Sequence, residues 1–249
     1  MSLQMQRQRG SALISVMIIL LLTTVLGVIA VRQGSTNLNL AMNASVQSLL
    51  VQSSDVGLDK LESSNISGSA SGAGPLGFLR LSGNEGKEYV FCYRPTQPAA
   101  NIYNIKNDTI LVPGGGTEGN SQGFCNTQLD KNFSSGRRVV ISQMGLVRPQ
   151  DAAVDEPFQY FEKGTDSETV KRPEQQRFRA YITSIAPTLT RVDKDEVDKC
   201  FTLANDDSTV ASRPDDKESM SDCFFRLGVP SNTQVQDYVL GGVVDVKKF

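Results

Sequence analysis

Few residues of this chain are of a type that does chemistry. It holds no His and no Trp, so neither a Ser-His-Asp nor a Cys-His nucleophile can be assembled, nor any His-containing zinc site. It does hold four Cys, at positions 92, 125, 200 and 223, and 27 acidic residues. No Cys-x-x-Cys occurs and neighbouring Cys stand more than twenty residues apart, whereas a four-Cys zinc ribbon needs two close pairs. An even number at long spacing reads as two disulfides, and therefore as an oxidising compartment. Four Cys allow three pairings, of which the sequential one, Cys92–Cys125 with Cys200–Cys223, is the simplest. Each bridge would contribute about 3–4 kcal/mol in the loop-entropy account.

The acids concentrate between Asp193 and Asp222, where ten acidic residues face four basic ones. Asp193, Asp195, Asp198, Asp206 and Asp207 are the candidate Ca²⁺ ligands, since that ion takes several oxygens at once. No EF-hand spacing is present, and a solvated acidic surface accounts for the same residues. The Gly run in Val112–Phe124 (VPGGGTEGNSQGF) lacks the Gly-Lys-Ser/Thr ending of a phosphate-binding loop and reads as a flexible loop. No pair of carboxylates is marked by a motif. The expectation is a protein with no catalytic residues and no resident cofactor.

The elements that must position these groups are legible from charge. From Gly10 to Ser54 the chain runs 45 residues with one charge, Arg32. Within it Ser11–Val31 (SALISVMIILLLTTVLGVIAV) has 21 residues, no charge, no Pro and a single Gly. At about 1.5 Å per residue such a helix reaches roughly 31–32 Å, the thickness of a bilayer's hydrocarbon core. Arg7 and Arg9 precede it without any acid, which puts the N-terminus in the cytoplasm and the remainder across the membrane. A secretory signal cleaved after Val28-Ile29-Ala30 is one account, although the run exceeds the usual apolar region of about 7–15 residues. A plain single-pass anchor is another.

Residues Gln33–Ser54 (QGSTNLNLAMNASVQSLLVQSS) are also free of charge and Pro. A water-facing helix would carry Glu and Lys on its outer face. Here Leu38, Met42, Val46, Leu49 and Leu50, then Leu58 and Leu61, recur mostly at three- and four-residue steps. The pattern predicts one helix over 11–62, its uncharged surface packed against other helices, where a bare charge would cost several kcal/mol to bury. A spacer with a quiet surface is the alternative.

The junction ahead of the apolar run reads Arg-Gln-Arg-Gly, then Ser-Ala-Leu-Ile. Joined to the long uncharged helix, it resembles the N-terminus of type IV prepilins. The resemblance implies a leader, Met1–Gly10, cut by prepilin peptidase at the Gly10–Ser11 bond, with methylation of the new N-terminus at Ser11. Two positions depart from the family pattern: Ser11 stands where Phe or Met is usual, and Ser15 stands where the fifth mature residue is usually Glu. That Glu pairs with the N-terminal amine of a neighbouring subunit, which offsets the cost of a carboxylate in lipid. Its loss is shared by minor pilins of the PilX type and by K-type pseudopilins of type II secretion, both placed at or near a filament tip. Leu49–Leu61 (LLVQSSDVGLDKL) also resembles the PilX-type continuation of the helix toward the head. Gly10 and Ser11 are thus the expected processing residues, and Ser15, Leu38, Met42, Val46, Leu49 and Leu50 the expected subunit-packing residues.

After Glu62, the Ser/Gly-rich run Ser63–Gly77 ends any helix. Residues 63–249 number 187, enough for one domain with its own core. Strand-like stretches lie at Glu88–Tyr93, Thr109–Val112, Arg137–Ser142, Arg177–Ser184 and Asp237–Val246, separated by Gly/Pro/Asn-rich intervals that point to an antiparallel sheet. The expected fold is therefore α+β and pilin-like, a long N-terminal helix packed on an antiparallel sheet head with two disulfides. The loop bounded by the second Cys pair is either a contact region or a staple for a loop-rich head.

The expected function is that of a minor pilin that primes type IV pilus assembly and sits at or near the filament tip, serving twitching motility, adhesion or DNA uptake. Its expected partners are other minor pilins, the major pilin, prepilin peptidase and the inner membrane, with the head in the periplasm and later at the cell surface. The alternatives are a K-type pseudopilin of a secretion filament, and an anchored or secreted adhesive domain with no filament role. Removing a leader that carries Arg7 and Arg9 takes the net charge from −2 to −4, which argues against strong nucleic-acid binding.

Overall fold

A computed structural model describes residues 8–63, 74–95, 108–113, 116–134, 137–149, 172–205 and 218–244. The chain divides into two units, Met1–Val46 and Gln47–Phe249. Helix α1, Gln8–Ser63, runs through 56 residues, uninterrupted because nothing in it breaks the hydrogen-bond ladder: it holds no Pro. It stops where the Ser/Gly-rich run begins.

The second unit joins residues 47–63 of α1 to the head. Its elements are α2 (Pro75–Arg80), β1 (Glu88–Cys92), β2 (Thr109–Leu111), β3 (Thr117–Gly119), β4 (Ile141–Val147), β5 (Arg172–Ile185), α3 (Lys194–Cys200), α4 (Met220–Arg226) and β6 (Ser231–Val244). The strands form one six-stranded sheet in the order β3-β2-β1-β4-β5-β6, every pairing antiparallel. Two disulfides, Cys92–Cys125 and Cys200–Cys223, close the head. The architecture is α+β.

Alternation along the strands splits the side chains into two cores. On the α1 side, Tyr89, Phe91, Met144, Leu146, Phe178 and Ile182 pack with Leu61, Leu76 and Leu79. On the opposite face, Ile141 and Ile185 pack with Val197, Phe201, Met220 and Phe224, around all four Cys. Phe201 and Phe224 meet edge to face with centroids 5.1 Å apart. The second core is thus made by the two short helices and both disulfides.

The outlines differ from the sequence pattern at several points, among them β5, which runs over Arg172–Ile185 rather than Arg177–Ser184. The fourth strand begins at Ile141 rather than Arg137, because Arg138 takes a left-handed φ of 53° that cannot continue a strand. Val112–Phe124 is not merely a loop: β3 pairs with β2, and a 3-10 turn follows at Ser121–Gly123. Gly123 is required there, since a Cβ would lie 2.3 Å from both the Thr109 amide nitrogen and the Val90 carbonyl oxygen. The last strand starts six residues before Asp237, at Ser231, and Val246 lies outside the described residues.

Candidate functional site: the apolar helix and the disulfide-bounded face

The expected processing residues Gly10 and Ser11 fall inside α1. Over Ala12–Glu62 the helix is long and apolar enough to cross a membrane, and its most apolar window is entirely unburied within the chain. From Leu13 at 65% to Val31 at 73%, the large apolar side chains all face outward. Beyond Val31 the exposure continues: Leu38 is 62%, Leu40 68% and Met42 60% exposed. Val46 is half-buried, Leu49 is exposed, and Leu50 is fully buried within the chain.

The hydroxyls of this stretch are satisfied by the helix itself. Ser15 donates to the Ala12 carbonyl at 3.0 Å, Thr23 to Leu20 at 2.9 Å and Thr24 to Leu21 at 2.8 Å. Ser35 and Thr36 both donate to the Arg32 carbonyl, at 2.9 and 3.0 Å. Such back-bonding removes the penalty of carrying a hydroxyl into an apolar medium.

On the sheet face opposite α1, the Cys92–Cys125 bridge fixes a turn-rich segment, 121–133, beside α3, which the Cys200–Cys223 bridge ties to α4. Asp198 accepts from the Thr127 amide at 2.7 Å, and Asp195 accepts from the Gln128 side-chain amide at 2.6 Å. Asn132, fully buried, donates to the Asn126 carbonyl at 3.0 Å and accepts from Arg94 Nε at 2.9 Å. Between these walls lies an open cavity of about 720 Å³. Arg94, Lys131 and Lys199 line it, as do Asp195 and Asp198. Burial lowers the pKa of the half-buried Arg94 guanidinium, with Asp108 opposing. Burial also pushes the Asp198 carboxyl up, against the hydrogen bonds from Thr127.

Of the candidate Ca²⁺ ligands, Asp193 is the N-cap of α3, accepting from the Asp195 amide at 3.1 Å. Asp195 and Asp198 hold the 121–133 segment as described, and Asp206 and Asp207 lie outside the described residues. Among the described residues no three Asp, Glu, His or Cys side chains gather as a metal site.

The helices α3 and α4 escaped the sequence reading, although their caps were visible. Ser219 accepts from the Asp222 amide at 3.2 Å while its hydroxyl donates to the Asp222 carboxylate at 2.5 Å, closing a Ser-x-x-Asp box. Arg94 also went unremarked, and no local signal marks it: its place in the cavity wall depends on the distant Asn132.

Comparison with models of known protein families, with curated proteins and with solved structures finds no match.

Proposed function

We propose that this chain is a minor, pilin-like subunit of a type IV filament, trimmed at Gly10–Ser11 and placed at or near the filament tip. The observation that carries the reading is the length of exposed apolar helix. Residues 11–31 suffice for a bilayer, yet Leu38, Leu40 and Met42 remain uncovered beyond them, on a stretch with no charge after Arg32 until Asp55. A membrane anchor alone gives no reason for that surface. Neighbouring helices do, because they cover the apolar positions and would penalise a charge.

Ser15 fits a terminal place. Its hydroxyl is satisfied within the helix, so it asks for no amine from a subunit ahead, as a carboxylate in lipid would. The head, stapled by two disulfides, suits the far side of the membrane. The mechanism is packing: helix against helix in the shaft, head against head at the tip.

Intact mass and N-terminal sequence of the protein from membranes, with and without an active prepilin peptidase, test this reading. A methylated start at Ser11 that depends on the peptidase is expected. A start after Ala30, or an intact Met1 in both backgrounds, would overturn it.

A further inference from the structure

The cavity on the outer face of the head has no part in helix packing. Its volume of about 720 Å³ lies in the range of roughly 300–1,000 Å³ that encloses small ligands. Its walls are held in place. Cys125 is bridged to β1, Cys200 joins α3 to α4, and Asp198 ties α3 to the Thr127 amide. A site built this way pays little ordering entropy on binding.

The charges in the wall are unevenly satisfied. Asp195 and the Oδ1 of Asp198 accept hydrogen bonds from neutral donors in the 121–133 segment, while Asp198 Oδ2 is buried with no hydrogen-bond partner among the described residues. Arg94 is half-buried, and among the described residues its one hydrogen-bond acceptor is the neutral Asn132 amide. Lys131 and Lys199 form no ion pair among the described residues. Three cations against two carboxylates leave the lining with a single positive excess. The Asp108 charge acts on Arg94 from outside the lining without forming an ion pair with it, so the half-buried guanidinium still gains from a ligand that brings an anion into contact.

The neutral part of the lining narrows the ligand further. Ser121, Gln122, Asn126 and Thr202 offer hydroxyl and amide groups, each able to donate and accept, and Phe124 and Leu129 add apolar surface. That mixture matches a ring bearing several hydroxyls and one apolar face. A polyanion such as a nucleic-acid strand is disfavoured by the acidic segment that contributes α3, with ten acids against four bases. A single carboxylate is not.

We propose that this cavity binds an acidic saccharide, a uronate-type sugar whose carboxylate meets Arg94, Lys131 and Lys199 while its hydroxyls bond the amide and hydroxyl side chains around them. This site stands whether or not the chain enters a filament.

The test is a calorimetric titration of the full chain in detergent with glucuronate, against glucose as the neutral sugar and inorganic sulfate as the bare anion. Saturable binding of glucuronate is expected, at least about tenfold tighter than of either control. In K131Q/K199Q, at two exposed positions, affinity should fall about tenfold or more. Thr202→Trp, which adds bulk to the cavity wall and keeps every cation, should weaken binding at least about tenfold, with unchanged melting showing that the head is folded. No saturation by glucuronate, equal binding of glucose or sulfate, or undiminished affinity in either variant would overturn the proposal.

Discussion

Ser54 Oγ on α1 lies 2.8 Å from Ser184 Oγ on β5, and Ser184 lies 2.8 Å from Ser142 on β4. Ser142 also meets Ser53 at 3.0 Å, and Ser53 donates to Ser134 at 3.3 Å, so five hydroxyls form a row across the contact between helix and sheet. Their small side chains bring the two backbones close, and Gly57 extends the same approach. A Cβ at Gly57 would stand 3.0 Å from Ile182 Cδ1. The seam is polar and closed, since Ser54, Ser142 and Ser184 are all fully buried, and its hydroxyls bond one another.

Position in this row sets the cost of breaking it. Ser142→Ala removes the middle member and strips a partner from both Ser53 and Ser184, so a loss of about 1–3 kcal/mol is expected. Ser54→Ala removes an end and leaves Ser184 bonded to Ser142, so about 1 kcal/mol is expected. Denaturant midpoints of the two variants in detergent would check the order. Equal losses would mean that the hydroxyls do not act as a connected row.

Gly145 on β4 is fixed by what lies over it. A Cβ there would stand 2.2 Å from Glu88 Oε1 and 2.6 Å from Asn205 Nδ2. Glu88 is only 4% exposed, and its two carboxylate oxygens accept from the backbone and side-chain amides of Asn205. Asn205 in turn accepts from Thr183 at 3.0 Å. Gly145→Ala should therefore cost at least about 1–3 kcal/mol by overpacking, and hydrogen exchange at the Asn205 amide should rise with it. Unchanged protection at that amide would show that the Glu88 clamp tolerates the added methyl.

Tyr89 gives the head an alkaline limit. Its hydroxyl donates to Asp108 at 2.5 Å, with Tyr89 fully buried and Asp108 5% exposed. Burial first, and the Asp108 charge second, hold its pKa well above the ordinary phenol value. The folded state thus keeps the proton more tightly than the unfolded chain, so the contribution is complete below about pH 10 and declines as pH rises beyond it, by up to about 1.4 kcal/mol per unit. Tyr89→Phe should flatten that decline. At neutral pH the same change should cost about 1–3 kcal/mol, because Asp108 loses a buried donor. Unfolding free energies between pH 8 and 11 would decide, and an unchanged alkaline slope would assign the decline to other groups.

The helix was legible because a charge-free run of this length has few other uses, and the strands β1, β2 and β5 because β-branched and aromatic residues cluster in them. The fourth strand was displaced for a physical reason. Val139 and Val140 look like strand residues, and the expected strand stops at Ser142 because Gln143 and Gly145 look like a turn. In the fold Gln143 is buried and satisfied at long range: it accepts from the Cys125 amide at 2.9 Å and donates to the Phe201 carbonyl at 2.8 Å. Such partners stand 18 and 58 residues away, beyond any local pattern. The cavity shares this cause, since its walls come from three separate stretches joined by disulfides and buried amides. Leu50 shows the converse limit. Periodicity grouped it with Leu38 and Met42, but a helix stripe does not distinguish a face covered by the chain's own head from one left uncovered.

That difference allows the uncovered stretch to be tested without disturbing either the membrane segment or the head. Leu38 and Met42 lie beyond the 21-residue apolar run and outside the second unit, 62% and 60% exposed. Leu38→Glu with Met42→Glu should leave membrane insertion and the melting of the head unchanged. If neighbouring helices cover this stretch, each new carboxylate must be desolvated on assembly, at several kcal/mol if it stays unpaired. Photo-crosslinking from a benzoylphenylalanine placed at Ser45, in living cells, should then lose its partner bands by at least about tenfold, the effect of about 1.4 kcal/mol. Undiminished bands would mean that the surface around Leu38 and Met42 faces water or lipid throughout, and that contacts between subunits are made by the heads alone.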